Sequence, residues 1–369
     1  MRVTALVLSL LLASALHAAV TISAPVTLRD GILLSRGGMS GSAWLAQSAG
    51  TFVLAWTEIG DEHLDHLYIA PLASLYSALD LTRKVDVGPI ANASVPYITS
   101  GGPYFAVSYT APDVTRNVRL YDRDLAPVTA SLLVAKDVDT SQMVWSGRDF
   151  ILPGTLRLNF LNAGGFRSAP SILDTNQVQQ MTVKAAAALP DGSNALVLTW
   201  PVFSCFDICG IAPQPMTAIA LDDAHRTGTT TFLSDFAYPA ATLGSSSSGF
   251  LALWPEGRTL TQMATIFDAN GATKATIRLQ SFLNLEQALA RPLIAGDGDE
   301  WLVITTGKLY QIEGSTVTSQ TALAKGSQLL RTGPGSYALL YSETDDGIHA
   351  RIQLVRITTQ PQRTRGSRH

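Results

Sequence analysis

Phe250-Leu251-Ala252-Leu253-Trp254 is the clearest of seven short apolar segments that recur along this sequence of 369 residues. Most of the segments begin and end with an aromatic residue, and Gly, Ser, Asn or Asp lies just before nearly every one. The other six are Phe52-Val53-Leu54-Ala55-Trp56, Phe105-Ala106-Val107-Ser108-Tyr109, Phe150-Ile151-Leu152, Leu196-Val197-Leu198-Thr199-Trp200, Trp301-Leu302-Val303-Ile304-Thr305 and Tyr337-Ala338-Leu339-Leu340-Tyr341. Tyr337 lies 285 positions after Phe52, so the six intervals average about 48 residues.

Each apolar segment has the length of one strand, and a more polar strand with alternating apolar residues follows most of them, as in Gln262-Met263-Ala264-Thr265-Ile266-Phe267. Repeats of about 40–50 residues that hold four short strands are typical of β-propeller blades. A second strand that is covered on both faces by neighbouring blades reads as continuous apolar sequence. We therefore predict an all-β fold, a single seven-bladed β-propeller.

The two ends of the sequence predict how the ring closes. After Tyr341 one more good strand fits, Ile348 to Ile357, so the last blade lacks its outermost strand. Val20 to Leu28 form a spare strand before the first blade begins near Ser42. We expect this N-terminal strand to complete the last blade and remove its open edge. The rival architecture, a string of immunoglobulin-like sandwiches, needs units near 100 residues and often a Cys…Trp…Cys spacing, and neither occurs.

The apolar strands resemble those of the exported bacterial seven-bladed β-propeller proteins, whose blades carry a Phe/Tyr-Leu-Val-Val-Trp-like second strand. The resemblance covers residues 20–357 and concerns packing residues only. It implies the fold and no catalytic residue.

Residues 1–19 read as an export signal peptide. Arg2 precedes an apolar stretch from Val3 to Ala13, and small residues suit cleavage after Ala18 or Ala19. The stretch is too short to span about 30 Å of hydrocarbon. We expect an exported, periplasmic or extracellular monomer with the propeller at 20–357, no transmembrane segment after signal removal, and a disordered basic tail at 358–369. A net charge of −3 argues against nucleic acid as a partner.

The two cysteines, Cys205 and Cys209, lie in a long loop of the fourth blade, from Pro201 to Pro215. In an oxidising compartment we expect them to form one local disulfide. Phe206 would then be an exposed anchor for a protein or a sugar ring. The disulfide would restrict the loop, so less conformational entropy would be lost on binding. The alternative is an insertion that packs on its own blade.

Two loops between second and third strands are rich in carboxylates and histidines. We predict ligand-binding residues in these loops of blades 1 and 7, which would be neighbours in a closed ring: Glu58, Asp61, His63, His66, Asp345, Asp346 and His349. Carboxylates suit calcium, and histidine with carboxylates suits zinc. The alternative is a solvated acidic surface, because no calcium-loop motif is complete, so calcium stays a possibility and no metal ligand is assigned.

No residue is predicted to be catalytic. The sialidase Ser-x-Asp-x-Gly-x-Thr-Trp box, phosphate loops and dinucleotide fingerprints are all absent from the sequence. We expect a non-enzymatic exported propeller that binds a protein or glycan ligand on the face built from blade-connecting loops and loops between second and third strands. A carbohydrate-active hydrolase or lyase that uses the carboxylates of blades 1 and 7 is the alternative. A purely structural module of an envelope complex is a third possibility.

Overall fold

The computed structural model of the protein describes residues 20–33, 42–60, 64–91, 94–135, 138, 140–154, 158–168, 181–201, 213–323, 326–344 and 349–359. Several predictions concern other residues and lie outside these ranges: the leader at 1–19, most of the tail, the cysteine pair, Phe206, Asp61, His63, Asp345 and Asp346. The described residues form antiparallel strands with few helical turns. The all-β prediction is confirmed.

The chain begins with two strands that pair with its last strand. β1 (Thr21–Ile22) and β2 (Val26–Leu33) both lie antiparallel to the strand that ends at Thr358. The pairing joins Thr21 to Thr358 and Leu33 to His349. The predicted spare strand is therefore present, and it extends five residues beyond Leu28.

Three sheets of four strands follow, and within each the strands pair in chain order. The first sheet comprises β3 (Ala43–Ser48), β4 (Thr51–Ile59), β5 (Asp65–Leu72) and β6 (Val85–Pro89). The second comprises β7 (Tyr97–Gly101), β8 (Tyr104–Thr110), β9 (Arg116–Tyr121) and β10 (Leu132–Val134). The third comprises β11 (Val144–Trp145), β12 (Phe150–Pro153), β13 (Leu158–Asn162) and β14 (Gly165–Ser168).

The next sheet has eight strands. It comprises β15 (Met181–Ala188), β16 (Asn194–Pro201), β17 (Gln214–Asp222), β18 (Thr227–Ala237), β19 (Thr242–Ser245), β20 (Gly249–Glu256), β21 (Thr261–Asp268) and β22 (Thr273–Ser281). Its two halves meet through a single residue pair, Ala237 with Glu256. Each half otherwise repeats the four-stranded pattern.

Two further sheets complete the described chain. The penultimate sheet comprises β23 (Leu293–Asp297), β24 (Glu300–Thr305), β25 (Lys308–Glu313) and β26 (Thr316–Ala322). The last sheet comprises β27 (Gln328–Gly333), β28 (Ser336–Thr344) and β29 (His349–Thr358), together with β1 and β2. Five sheets thus have the size of one blade, and the sixth joins eight strands. The predicted count of seven separate blades is therefore not confirmed.

The apolar segments form the second strand of each unit, as predicted. In β4, Leu54 and Trp56 pack into a core with the last sheet, whereas Val53 and Ala55 pack into a core with the second sheet. These four side chains have no exposed surface. A strand that separates two cores has no polar face, which explains why the sequence shows a continuous apolar run instead of alternation.

The helical turns of the described ranges are short and lie between strands. They are η1 (Leu81–Arg83), η2 (Thr140–Gln142) and α1 (Leu285–Leu289). The Asn284 side chain caps α1 by accepting a hydrogen bond from the Gln287 amide at 2.9 Å. Within the described ranges, no helix is long and apolar enough to cross a membrane.

Candidate functional site

A cavity of about 600 Å³ lies among the first, penultimate and last sheets. Part of its wall comes from residues at the start of the first strand of a sheet, Ser42 to Trp44 and Leu293. The rest comes from the end of the second strand of a sheet (Ile304, Thr305, Tyr341) and from the turn at Thr306 and Gly307. In an antiparallel unit these positions share one face, here called the cavity face. This is the face on which the sequence predicted a ligand, and the volume is in the range of small-molecule sites.

The cavity combines one aromatic wall with several hydroxyl groups. Trp44 is half-buried and contacts Tyr97 edge-on, with 5.0 Å between ring centroids. Tyr341 donates its hydroxyl to Gln353 Oε1 at 2.6 Å, and Ser327 donates to the Leu340 carbonyl at 2.9 Å. Most of the hydroxyls are therefore already committed to the fold. The indole of Trp44 offers a flat apolar surface beside them.

Thr305 is the exception among these hydroxyls. It is 7% exposed, and its Oγ1 has no hydrogen-bond partner among the described atoms. A buried hydroxyl without a partner costs about 1–3 kcal/mol relative to a satisfied one. The cavity wall therefore holds a polar group that the fold leaves unused.

Arg291 brings the single charge among the residues that line the cavity within the described ranges. It lies in the segment between α1 and β23 and is exposed. Its Nη1 donates to Ser141 Oγ of η2 at 3.2 Å, a contact between residues 150 positions apart. The guanidinium thus faces a neutral partner instead of a carboxylate.

Glu58, the first predicted ligand-binding residue, is 9% exposed and does not line the cavity. Its two oxygens are paired: Oε2 lies 3.1 Å from Arg29 Nη2, and Oε1 lies 3.3 Å from Lys84 Nζ. Because Arg29 belongs to β2, this ion pair connects the N-terminal strand to the first sheet. The geometry gives Glu58 a structural role between two sheets.

His66 and His349 are the other predicted site residues within the described ranges, and neither lines the cavity. His66 lies opposite Glu58 across β4 and β5, and its Nδ1 contacts Asp86 Oδ2 at 3.0 Å. His349 is exposed at the start of β29 and pairs with Leu33. Among the described residues, no group of three or more His, Cys, Asp or Glu side chains could hold a metal ion.

A buried serine and histidine also meet, which sequence reasoning did not single out. His225 Nε2 lies 2.9 Å from Ser146 Oγ, and His225 stacks on Phe160 with 4.4 Å between ring centroids. Ser146 donates its only hydroxyl proton to the Asp149 carbonyl at 2.9 Å. Both side chains are buried and neither lines the cavity, so the pair connects packed sheets and does not face a ligand.

The opposite face holds the turns between first and second strands and is here called the turn face. It has two smaller cavities, of about 450 and 470 Å³. Two hydroxyls on this face donate to neighbouring turns: Ser48 to the Gly102 carbonyl at 2.8 Å, and Ser248 to the Gly298 carbonyl. In the described part of these walls, an ion pair joins Asp297 to Arg331 at 2.7 Å.

The residues that build the cavity were not predicted as site residues. Trp44, Arg291 and Thr305 come from separate sheets or connecting segments. One signal was present: Thr305 ends an apolar segment, and the turn after that segment lies on the face where a ligand was expected. Nothing local distinguishes Trp44 or Arg291, because their proximity depends on the packing of distant sheets.

Comparison with known proteins supports the propeller fold. No family model and no curated protein sequence matches the chain. The WD40 domain of Toxoplasma gondii coronin is similar in structure, with a TM-score of 0.55 and 12% identity over 94% of this chain and 88% of that one. The β-propeller domain of the Trilobed protease from Pyrococcus furiosus has a TM-score of 0.48 and 9% identity, over 91% of this chain and all of that one. A polysaccharide lyase described as an ulvan lyase has a TM-score of 0.49 and 9% identity, over 92% and 98% of the two chains. The chain has a β-propeller fold.

Proposed function

We propose that this protein is a non-enzymatic β-propeller that binds a glycan in the cavity of the cavity face. The observation that carries the proposal is the cavity itself: about 600 Å³, walled by three sheets, with an indole beside hydroxyl groups. Sugar rings present an apolar face to aromatic side chains and hydroxyls to polar ones, and sites of this volume bury most of a small ligand. A protein ligand anchored by Phe206 stays a prediction, since Phe206 lies outside the described residues.

The carboxylate-based hydrolase or lyase is the weaker candidate. Glycoside cleavage uses two carboxyl groups that flank the scissile bond at about 5–10 Å from each other. Within the described residues, the cavity lining contains no Asp or Glu, and Glu58 is held by Arg29 and Lys84. These observations support binding without turnover.

We also propose a closed ring of seven blades. The innermost strands contact one another in chain order, β3, β7, β11, β15, β19, β23 and β27, and β3 in turn contacts β28. The Gln328 side chain bonds to the Leu45 backbone at 2.7 and 2.8 Å, which connects the last sheet to the first. Because β15 and β19 pack as neighbouring inner strands, the eight-stranded sheet is two blades joined by the pair of Ala237 and Glu256.

The expectations about export belong to the same proposal. A leader at 1–19, a disulfide between Cys205 and Cys209, a basic tail at 358–369 and a monomeric exported state fit a propeller domain over 20–357. Mass spectrometry of the secreted and periplasmic fractions measures the mature N-terminus and the state of the two thiols. An N-terminus at Met1 would contradict export by cleavage.

The function is tested by titrating the full chain with soluble oligosaccharides, cellohexaose and tetragalacturonate among them, in a calorimeter. At least one sugar should bind, and Trp44→Ala should weaken that binding at least about tenfold, since aromatic contacts carry much of the energy at such sites. Phe232→Ala is the matched control, because Phe232 is 63% exposed on the outer strand β18. Thermal melts show whether each variant is folded.

Two results would overturn the proposal. If a folded Trp44→Ala variant binds as tightly as the parent, or if no sugar in the panel binds, the cavity is not a glycan site. New reducing or unsaturated ends after incubation would show turnover and favour the hydrolase or lyase. In that case Glu58→Gln measures whether Glu58 takes part.

A further inference from the structure

We propose that the glycan bound in this cavity is acidic and that Arg291 binds its carboxylate. This inference rests on the proposed glycan binding and deepens it by naming the chemical class of the ligand. Arg291 supplies the only charge among the described lining residues, and that charge is positive. A cavity with one cation and no carboxylate in its described wall favours an anionic ligand over a neutral or cationic one.

Arg291 lacks the carboxylate partner that several other arginines in the described ranges have. Arg29, Arg226, Arg258 and Arg331 each have a carboxylate oxygen within 3.1 Å. Arg291 has the Ser141 hydroxyl at 3.2 Å instead. A guanidinium has five N–H donors in a planar fork that matches a carboxylate, so a single bond to a serine leaves most of its capacity unused.

The surroundings of Arg291 suit a sugar that carries the carboxylate. Trp44 provides an apolar ring for the sugar face, and the unpartnered Thr305 Oγ1 lies in the same wall. A uronic acid has both a ring with hydroxyls and a carboxylate on that ring. Its binding would place the carboxylate at Arg291 and the sugar ring at Trp44.

The hydrogen bond of Arg291 also connects distant parts of the chain. It follows α1 near the penultimate sheet, whereas Ser141 lies in η2 before the third sheet. Exchange of the serine hydroxyl for a ligand carboxylate replaces a neutral acceptor by a charged one, which can accept two parallel N–H···O bonds from the guanidinium. Ligand binding should therefore release Ser141, and Ser141→Ala should leave the affinity unchanged or raise it.

The test compares tetragalacturonate with its methyl ester, which has the same sugars and no charge. Calorimetry on the full chain should show the acid binding at least about tenfold more tightly than the ester, because hydrogen bonds to charged groups are the stronger ones. Arg291→Gln should remove this preference, and Arg291→Lys should retain part of it. Arg278→Gln is the matched control, as Arg278 is exposed on the outer strand β22. Binding of the acid should also weaken in 0.5 M salt.

The outcomes separate this inference from the proposed function. If the acid and the ester bind equally, or if Arg291→Gln keeps the preference for the acid, the ligand class is wrong while the glycan site stands. If neither probe binds and cellohexaose binds with dependence on Trp44, the site takes neutral glycans. If no sugar binds at all, both proposals are wrong.

Discussion

The two faces of the propeller use their polar side chains differently. On the turn face, Ser48 and Ser248 donate to carbonyls of neighbouring turns, and Arg331 pairs with Asp297. On the cavity face, Thr305 Oγ1 has no partner among the described atoms, and Arg291 donates to the Ser141 hydroxyl and has no carboxylate partner in the described ranges. Other buried atoms without a described partner, such as Tyr121 Oη and Gln311 Oε1, belong to residues that do not line this cavity, so the proposal rests on the cavity and on Arg291 more than on Thr305.

The comparison also bears on Glu58, one of the predicted ligand-binding residues. Glu58 is on the cavity face, but its oxygens already bind Arg29 and Lys84. A carboxylate with two cationic partners stabilises the junction between sheets and has little capacity left for a ligand. The type of residue alone does not distinguish a structural carboxylate from a functional one.

The largest expected effect comes from the turn face, at Gly249. Its φ of +153° is in the region that favours glycine, and an added Cβ would overlap the carbonyl oxygen of Phe267. Gly249→Ala should therefore lower the free energy of unfolding by about 3 kcal/mol or more. Denaturant titration measures this, with Gly298→Ala as control, since no atom lies within 4 Å of a Cβ at Gly298. Similar losses in both variants would contradict the steric argument.

The second effect is at Glu58 on the cavity face. Glu58→Gln leaves Arg29 and Lys84 without their carboxylate and should lower the free energy of unfolding by about 1–3 kcal/mol. Glycan affinity should not change, because Glu58 does not line the cavity. Chemical unfolding and calorimetry on the same samples give both quantities. A large loss of affinity with unchanged stability would reverse the assignment and make Glu58 a site residue.

The third effect contrasts one hydroxyl from each face. Ser48→Ala removes a satisfied bond and should cost about 1 kcal/mol of unfolding free energy. Thr305→Val removes a hydroxyl without a described partner and should be neutral or stabilising by up to about 1 kcal/mol. Equal destabilisation by the two changes would show that Thr305 is satisfied in solution and that the two faces do not differ.

The smallest effect concerns pH. Burial, and then the neighbouring Glu300, raise the pKa of Glu313, which lies where β25 ends on the turn face. The folded state thus binds the Glu313 proton more tightly than the unfolded state. The stability gained from this protonation is fully present below the ordinary pKa of glutamate. It is lost as pH rises through the raised value. Glu313→Gln should therefore stabilise the protein near pH 7 by less than about 1 kcal/mol, and hardly at all near pH 4. Melts across this range measure the difference, and a larger gain at pH 4 would contradict the sign.

Much of the fold could be predicted because its signal is local and repeated. The runs at Phe52–Trp56 and Phe250–Trp254 became the second strands β4 and β20, and the spare strand before Ser42 became β1 and β2. The number of separate sheets could not be predicted, because it depends on the single pair of Ala237 with Glu256. Glu58, His66 and His349, which the sequence predicts as ligand-binding residues, do not line the cavity, whereas Trp44, Thr305 and Arg291 do.

The sequence by itself determined the class of fold, since burial of a strand between two neighbours requires apolar residues at consecutive positions, and that pattern is visible without coordinates. Tertiary structure alone decided which polar groups remain available to a ligand. Glu58 is neutralised by an arginine 29 residues away, and Arg291 meets a serine 150 residues away. Whether a charged group is satisfied depends on distances between sheets, and a linear pattern of residue types contains no such distances.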